Sequence, residues 1–122
     1  MILCDTNILI HLFNGDKSTF STLTNFGFDN VAISAVTVME LYQGMGNKAE
    51  LQNMKKKIRF YDIIEIDSES SALATDLIEK FRLSHNLQIP DAIIGASAII
   101  HQIPLFTYNK KDFSFMPGLQ LA

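Results

Sequence analysis

The sequence predicts an α/β fold in which helices cover a central parallel sheet of four to five strands. Short apolar runs alternate along the chain with longer segments of helical periodicity, which is typical of parallel strands joined by right-handed crossovers. The first run, 1–4, is apolar throughout, as expected of a strand that is buried on both faces. At 122 residues, 48% of them hydrophobic, the chain is expected to form a single domain over 1–122.

The predicted elements follow one another in regular order. Strands are expected at 1–4, 31–33, 63–66 and 105–107, with a fifth at 119–121. Helices are expected at 6–13, 17–26, 34–42, 48–61, 70–85 and 90–101. Glycine and asparagine punctuate the chain at 14–16, and the segment 70–85 places Leu73, Leu77 and Phe81 on one helical face. The segment after Pro90 is apolar on nearly every side, so this last helix is expected to be buried.

Four acidic residues lie where a predicted element begins or ends, or within an apolar segment. Asp5 directly follows the first strand, and Glu40 lies in an apolar helix. Asp91 opens the last helix, and Asp112 closes the segment after the fourth strand. In open parallel sheets, ligands bind beyond the carboxyl ends of the strands, where these side chains can converge. Carboxylates in apolar surroundings are costly unless paired or metal-bound, so they predict a site for a hard divalent cation such as Mg2+.

The charge balance permits a nucleic-acid substrate without arguing for one. The formal net charge is -3, which by itself opposes binding to a polyanion. Setting aside the four acids above leaves 9 of the 13 acidic residues against 10 lysines and arginines, so the remaining surface is close to neutral. A bound divalent cation would shift the local field further towards positive.

The composition predicts a cytoplasmic protein. No apolar stretch approaches the roughly 18 residues that span a bilayer, and the N-terminus has neither a basic segment nor a small-residue cleavage site. The single cysteine, Cys4, cannot form an internal disulfide and is expected to be a small buried core residue.

The motifs around the four acids resemble those of the PIN domain family. They are Asp5-Thr6-Asn7, Ser34-x-x-Thr37-x-x-Glu40-Leu41, Pro90-Asp91-Ala92 and Thr107-x-Asn109-x-x-Asp112-Phe113. Their order and spacing, over essentially the whole chain, are most similar to the VapC-like toxin ribonucleases of type II toxin–antitoxin systems. The resemblance implies a three-layer α/β/α fold and an endoribonuclease that depends on Mg2+ or Mn2+.

The resemblance also implies partners. Proteins of the VapC-like group usually form homodimers that cleave RNA. A cognate VapB-like antitoxin neutralises them by placing its C-terminal segment in the active-site groove. Asp5, Glu40 and Asp91 match the three main acids of the family.

The fourth acidic position departs from the family pattern. Many relatives carry an aspartate where this chain has Asn109, with a further acid at the position of Asp112. Asn109 could coordinate metal through its carbonyl or hold a metal-bound water, and Asp112 could take the acidic role. Whether one or two metals bind is left open by this difference.

Phosphodiester hydrolysis requires an activated water and stabilisation of charge on the phosphate, which carboxylate-held metal ions can supply. Asp5 and Asp91 are expected to be direct metal ligands. Glu40 is expected to bind metal through water or to orient the nucleophile, and Asp112 to complete the site. The neighbouring polar residues expected to support these acids are Thr6, Asn7, Thr107 and Asn109. The candidates for phosphate contact are Lys110 and Lys111.

Simpler interpretations apply to several of these residues. Asp5 could serve only as a helix N-cap, and Asp91 could only complement a helix dipole. The basic run 55–59 is expected to be a solvated helix face. The histidines show no metal-ligand spacing and are expected to be structural or surface residues; they are His11, His85 and His101.

Two other functions compete with the nuclease. A haloacid-dehalogenase-like phosphatase also places an aspartate after its first strand, but it normally needs a second acid two residues later, where this chain has Asn7. A catalytically silent PIN-like module that binds RNA or protein is the other alternative, and the departure at Asn109 keeps it open.

Overall fold

A four-stranded parallel sheet forms the centre of the computed structural model, which describes residues 1–122. The strands are β1 (Ile2–Cys4), β2 (Val31–Ser34), β3 (Asp62–Ile64) and β4 (Leu105–Phe106). Their order in the sheet is β3-β2-β1-β4, and every pairing is parallel. Leu3 in β1 lies opposite Ala32 on one side and Leu105 on the other. The first strand of the chain is therefore central, as its apolar sequence predicted.

Six helices connect and cover the strands. They are α1 (Thr6–Phe13), α2 (Lys17–Phe26), α3 (Ala35–Gln43), α4 (Lys48–Ile58), α5 (Ser68–His85) and α6 (Ile89–His101). Two short 3-10 turns, Phe28–Asn30 and Lys110–Asp112, complete the regular structure. No helix combines the length and the apolar character that a membrane span would need.

The two faces of the sheet carry separate cores because successive strand residues point to opposite sides. Leu3 and Leu105 pack with α5 and α6 in one cluster, which includes Ala74, Leu77, Ile94 and Ala98. Cys4 and Phe106 pack on the other face in a second cluster, which includes Ile8, Leu9, Leu23, Leu41 and Met54 from α1 to α4. The sheet is thus enclosed on both faces, and the predicted three-layer α/β/α architecture is confirmed.

Side-chain caps place several helix starts directly after strands. Asp5 follows β1 and accepts a hydrogen bond from the first N–H of α1, and Ser34 ends β2 and accepts one from Val36 in α3. Asn47 and Asp67 cap α4 and α5 in the same way. The helix starts after β1 and β2 consequently line the carboxyl edge of the sheet.

The fifth predicted strand is reduced to a single bridge. Leu121 pairs with Leu105, where the Leu105 N–H donates to the Gln120 carbonyl at 2.8 Å. Because β4 is itself only two residues long, it offers this terminal segment too few backbone groups for a ladder. The third strand begins one residue before its predicted start and ends at Ile64, since Ile66 belongs to the core under α5 and precedes the cap of that helix.

Leu3→Ala is expected to lower the free energy of unfolding by about 2–5 kcal/mol, because it leaves a cavity at the centre of the sheet. Leu3 is 0% exposed. Leu83→Ala removes the same atoms from a side chain that is 99% exposed and should change stability by less than about 0.5 kcal/mol. Urea denaturation measures both values, and similar losses in the two variants would contradict the placement of Leu3.

Candidate active site

The end of β1 and the segment after β4 meet at Asp5. The Asp5 N–H donates to the carbonyl of Phe106 at 3.0 Å, which extends the pairing of the two strands by one residue. The Thr107 hydroxyl donates to Asp5 Oδ2 at 2.8 Å, and the Thr6 N–H donates to Asp5 Oδ1 at 2.7 Å. Both carboxylate oxygens are therefore held, and the side chain is only 4% exposed. The N-cap interpretation of Asp5 is correct but covers only one of these bonds.

Glu40, on α3, is held by Thr6, which in turn contacts Thr37. The Thr6 hydroxyl donates to Glu40 Oε1 at 2.7 Å, and Thr37 Oγ1 lies 2.9 Å from Thr6 Oγ1. A hydroxyl has a single proton, and the carboxylate can only accept, so the Thr37 hydroxyl must donate to Thr6. Thr37 is fully buried one turn before Glu40 on the same helix face. The relay from Thr37 through Thr6 fixes the orientation of the Glu40 carboxylate.

Asp91 and Asp112 lie together near Asp5 and Glu40. Asp91 is the third residue of α6, Asp112 ends the second 3-10 turn, and both line one pocket of about 210 Å3. Burial and, to a smaller extent, the nearby charges of Asp5, Asp112 and Glu40 together raise the pKa of Asp91 from 3.8 to about 7. The four predicted acids thus lie within electrostatic reach of one another, although they are distant in sequence.

The pKa of Asp5 is also raised, chiefly by burial of its carboxylate. The hydrogen bonds from Thr107 and Thr6 oppose this shift because they stabilise the charged form, whereas the charges of Glu40 and Asp112 reinforce it. The sheet therefore holds a carboxylate in a place where its negative charge is costly.

No basic side chain compensates this cluster. The carboxylates that lie within 4.0 Å of a cationic group are elsewhere, in the pairs His11–Asp16 and His101–Asp67. No group of three or more acidic, histidine or cysteine side chains is arranged as a ready-made cage for a metal ion. The donors are nevertheless hard oxygens without sulfur or imidazole, which suit Mg2+ or Mn2+. Mg2+ usually keeps several waters and binds through one or two carboxylates, so an open arrangement fits such an ion.

The segment after β4 separates the two candidates for the fourth position. Asn109 donates its backbone N–H to Thr107 Oγ1 at 3.0 Å, and its carbonyl accepts the Asp112 N–H at 2.9 Å. Its side-chain amide is exposed and makes no hydrogen bond. Asp112 shares the pocket with Asp91, whereas Asn109 is not among the residues that line it.

The remaining predicted residues differ in their positions. Lys110 and Lys111 are exposed in the same 3-10 turn as Asp112. Asn7 is half-buried in α1, and its side chain makes no hydrogen bond to the other site residues. Lys57 is exposed, as expected of its basic run, but it also lines a groove of about 380 Å3 together with Glu40.

Several residues near the site were not predicted from the sequence. Thr37 was part of a motif, and its spacing of three residues from Glu40 on a helix could have indicated a shared face. His85, Asn86 and Gln88 line the pocket of Asp91 and Asp112. Nothing in their local sequence signals this position, because it results from how α5 and α6 pack against the segment after β4.

Asp91→Asn is expected to raise the thermal midpoint of metal-free protein at pH 8 but not at pH 4. Between pH 3.8 and about 7 the folded state keeps a proton that the unfolded state has released, so stability falls as pH rises through this window. The amide of the variant carries no charge, so it removes the unfavourable charge that Asp91 bears in the folded protein above about pH 7. Thermal unfolding in EDTA measures the effect, with the exposed Asp76→Asn as control. Equal shifts of the thermal midpoint at pH 4 and pH 8 would contradict an electrostatic origin of the effect.

Comparison with known proteins places this arrangement in a family. Residues 2–118 match the family model of the PIN domain. Ribonuclease VapC1 of Methanocaldococcus jannaschii is 30% identical over 114 residues, which cover 92% of this chain and 78% of that protein. The structure of a toxin-antitoxin complex from Klebsiella pneumoniae contains a similar chain, with 34% identity, a TM-score of 0.80, and coverage of 98% of this chain and 95% of that one.

A second solved structure agrees with the first. It is the structure of VapBC2 from Rickettsia felis bound to a DNA fragment from the VapBC2 promoter. A chain of that structure matches with 26% identity and a TM-score of 0.81, and the match covers 100% of this chain and 98% of that one. The family match spans all four acids of the site, from Asp5 to Asp112. The chain is therefore a member of the PIN domain family, as its motifs predicted.

Proposed function

We propose that this protein is an endoribonuclease that depends on a divalent metal and acts as the toxin of a type II toxin–antitoxin pair. The observation that carries the proposal is the cluster of four carboxylates, without a basic partner, at the carboxyl edge of a PIN fold. A relative named Ribonuclease VapC1 supports RNA as the substrate. A similar chain of 34% identity from a toxin-antitoxin complex supports the toxin role.

Asp5 and Asp91 are the residues that would hold Mg2+ or Mn2+, and Glu40 and Asp112 would complete the site. A divalent cation bound there supplies Lewis-acid stabilisation of phosphate charge and activation of water. Burial, and to a smaller extent the neighbouring acids, raise the pKa of both Asp5 and Asp91. This supports the assignment, because a bound cation would stabilise the charged form of both carboxylates. Thr107 and Thr6 keep the Asp5 carboxylate in one orientation for this purpose.

Glu40 is suited to orient the attacking water. Its Oε1 is occupied by the Thr6 hydroxyl, while Oε2 has no hydrogen-bond partner within the protein. That free oxygen can accept a proton of a water positioned against the phosphate. The relay from Thr37 holds the carboxylate, so that Oε2 keeps a constant direction.

Three lysines near the acids are candidates for contact with the RNA backbone. Lys110 and Lys111 precede Asp112 in its 3-10 turn, and Lys57 lines the same groove as Glu40. The Lys57 ammonium sits 5.3 Å from the centre of the Phe13 ring, which restrains its long side chain. These positive charges allow a polyanion to approach a negatively charged centre.

The groove beside Glu40 is the surface that we assign to the antitoxin. It lies between α1, α3 and α4, and its apolar lining consists of Ile10, Phe13, Leu41, Met45 and Met54. A groove of this character suits an apolar segment of a partner protein. A segment bound there would lie against Glu40 and would exclude RNA from the acids.

Purified protein is expected to cut RNA in Mg2+ or Mn2+ and to lose this activity in EDTA. Asp5→Asn and Asp91→Asn should each reduce cleavage to background, because each removes a carboxylate that would bind the metal. Asp76→Asn changes an exposed aspartate of α5 and should leave cleavage unchanged. Gel electrophoresis of total RNA measures cleavage by the wild-type protein and by the three variants. Circular dichroism checks that each protein is folded.

The outcomes separate the alternatives. Cleavage that survives in both Asp5→Asn and Asp91→Asn would reject the assigned site. Intact RNA in every lane, from folded protein, would favour the catalytically silent binding module. Calorimetric binding of Mn2+ provides a readout that is independent of activity, and it should be lost in both variants but kept in Asp76→Asn.

Thr37→Val is expected to lower kcat by about 10–100-fold, because the relay that orients Glu40 loses its first donor. KM should change little, since Thr37 is buried and does not reach the substrate. Thr37→Ser keeps the hydroxyl and should restore most of the rate. Steady-state cleavage of a fluorescent RNA measures these values. A loss of rate in the serine variant equal to that in the valine variant would point to packing and not to the relay.

A further inference from the structure

The pocket of Asp91 and Asp112 extends away from the acids onto the connection between α5 and α6. It has a volume of about 210 Å3, and only one of its six lining residues is apolar. The lining consists of His85, Asn86, Leu87, Gln88, Asp91 and Asp112. Because two of the proposed catalytic acids form one wall, a group in this pocket lies directly beside the place where the phosphate would react.

Two side-chain amides in this pocket have hydrogen-bonding groups without protein partners. Gln88 is the N-cap residue of α6, yet its side chain makes no capping bond. Its Nε2 donates instead to the Asn86 carbonyl at 3.2 Å and to Asn86 Oδ1 at 3.5 Å, which leaves only Oε1 free to accept. Asn86 Nδ2 likewise makes no hydrogen bond, and Asn86 ends α5 in a left-handed conformation with φ 54. A ligand can therefore use one acceptor, Gln88 Oε1, and one donor, Asn86 Nδ2.

An aromatic surface lies beside these amides. The His85 ring stacks on Phe115 with centroids 4.1 Å apart and planes inclined by 26°. Ser84 Oγ lies 2.7 Å from His85 Nδ1 and restrains the ring further. The side chain of His85 nevertheless remains exposed. A flat ring held in this way is a suitable surface for stacking of a nucleobase.

The lining of the pocket favours a base over a phosphate. None of the six lining residues is a lysine or arginine, so the pocket itself offers a phosphate group no cationic partner. A nucleobase is neutral, and its edge carries the donors and acceptors that amides recognise. A base can enter such a pocket only when it is unpaired and unstacked, which indicates a single-stranded segment.

We propose that this pocket receives the nucleobase adjacent to the scissile phosphate of single-stranded RNA, and that Asn86 and Gln88 read its hydrogen-bonding edge. This inference rests on the proposed ribonuclease function and adds the determinant of its sequence preference. His85 supplies the stacking surface, and Asp91 and Asp112 fix the distance between the base and the reacting phosphate. The α5–α6 connection would thus determine which base is recognised, whereas the acids carry out the reaction.

The chain offers matched variants for a test. Asn86→Gly removes the side chain and tolerates the positive φ, and Gln88→Ala removes an amide that makes no capping bond. Gln102, at the C-terminal end of α6, has the same φ of 54 as Asn86. At a rise of 1.5 Å per residue, it lies about 20 Å from Gln88 along the helix. Gln102→Gly and the exposed Gln52→Ala therefore control for backbone and composition effects.

The experiment is cleavage of a randomised single-stranded RNA pool in Mn2+, with sequencing of the new ends, beside hydrolysis of bis-p-nitrophenyl phosphate, which has no base. Wild-type protein and both control variants should share one base preference next to the cut. The Asn86→Gly/Gln88→Ala double variant should lose that preference by about 10-fold, as expected for loss of one or two hydrogen bonds. Its rate with the base-free ester should be unchanged.

The outcomes distinguish this inference from the proposed function. An unchanged preference in the double variant, or a wild-type enzyme without any preference beside the cut, overturns the base pocket and leaves the nuclease intact. If wild-type protein cuts neither substrate, the nuclease proposal fails. NMR titration with a short RNA in Ca2+ then decides the inference: shifts confined to the side-chain amides of Asn86 and Gln88 support the pocket, and unmoved amides reject it.

Discussion

The burial of carboxylates close to one another is the constraint on which the site depends. Burial and three neighbouring acids raise the pKa of Asp91 to about 7, and no lysine or arginine is placed to relieve it. A protein selected only for stability would replace such a group by an amide or an apolar residue. The rest of the edge can be understood as support for this cluster: Thr107 and Thr6 bind Asp5, and Thr6 binds Glu40.

The fold supplies this support from backbone geometry. β1 is central, so the residue that follows it is flanked by elements from both neighbouring strands. Asp5 receives Thr107 from the side of β4, and Thr6 receives Thr37 and Glu40 from the helix after β2. Parallel strands end at the same edge, which is why three distant segments can meet without long loops. The acids are thus positioned by the most deeply buried part of the protein.

The local sequence predicted the strands and helices more completely than the contacts between them. The apolar run before Asp5 and the periodicity of α5 identified a central strand and a packed helix, because burial leaves a direct pattern in sequence. The fifth strand was wrong as an extended element, since pairing at Leu121 depends on how short β4 is. The four acids and the supporting residues Thr6 and Thr107 were proposed from motifs, but the role of Thr37 and the pocket at Asn86 depend on packing between segments that share no local pattern.

The bond between Thr107 and Asp5 joins residues 102 positions apart and has a consequence during synthesis. A ribosome adds about 5–20 residues per second, so Asp5 leaves the exit tunnel many seconds before β4 has been made. During that interval β1 can pair with β2, but the neighbour that brings Thr107 and Asp112 is absent. The nascent chain therefore cannot bring its four acids together until the segment after β4 has emerged from the ribosome.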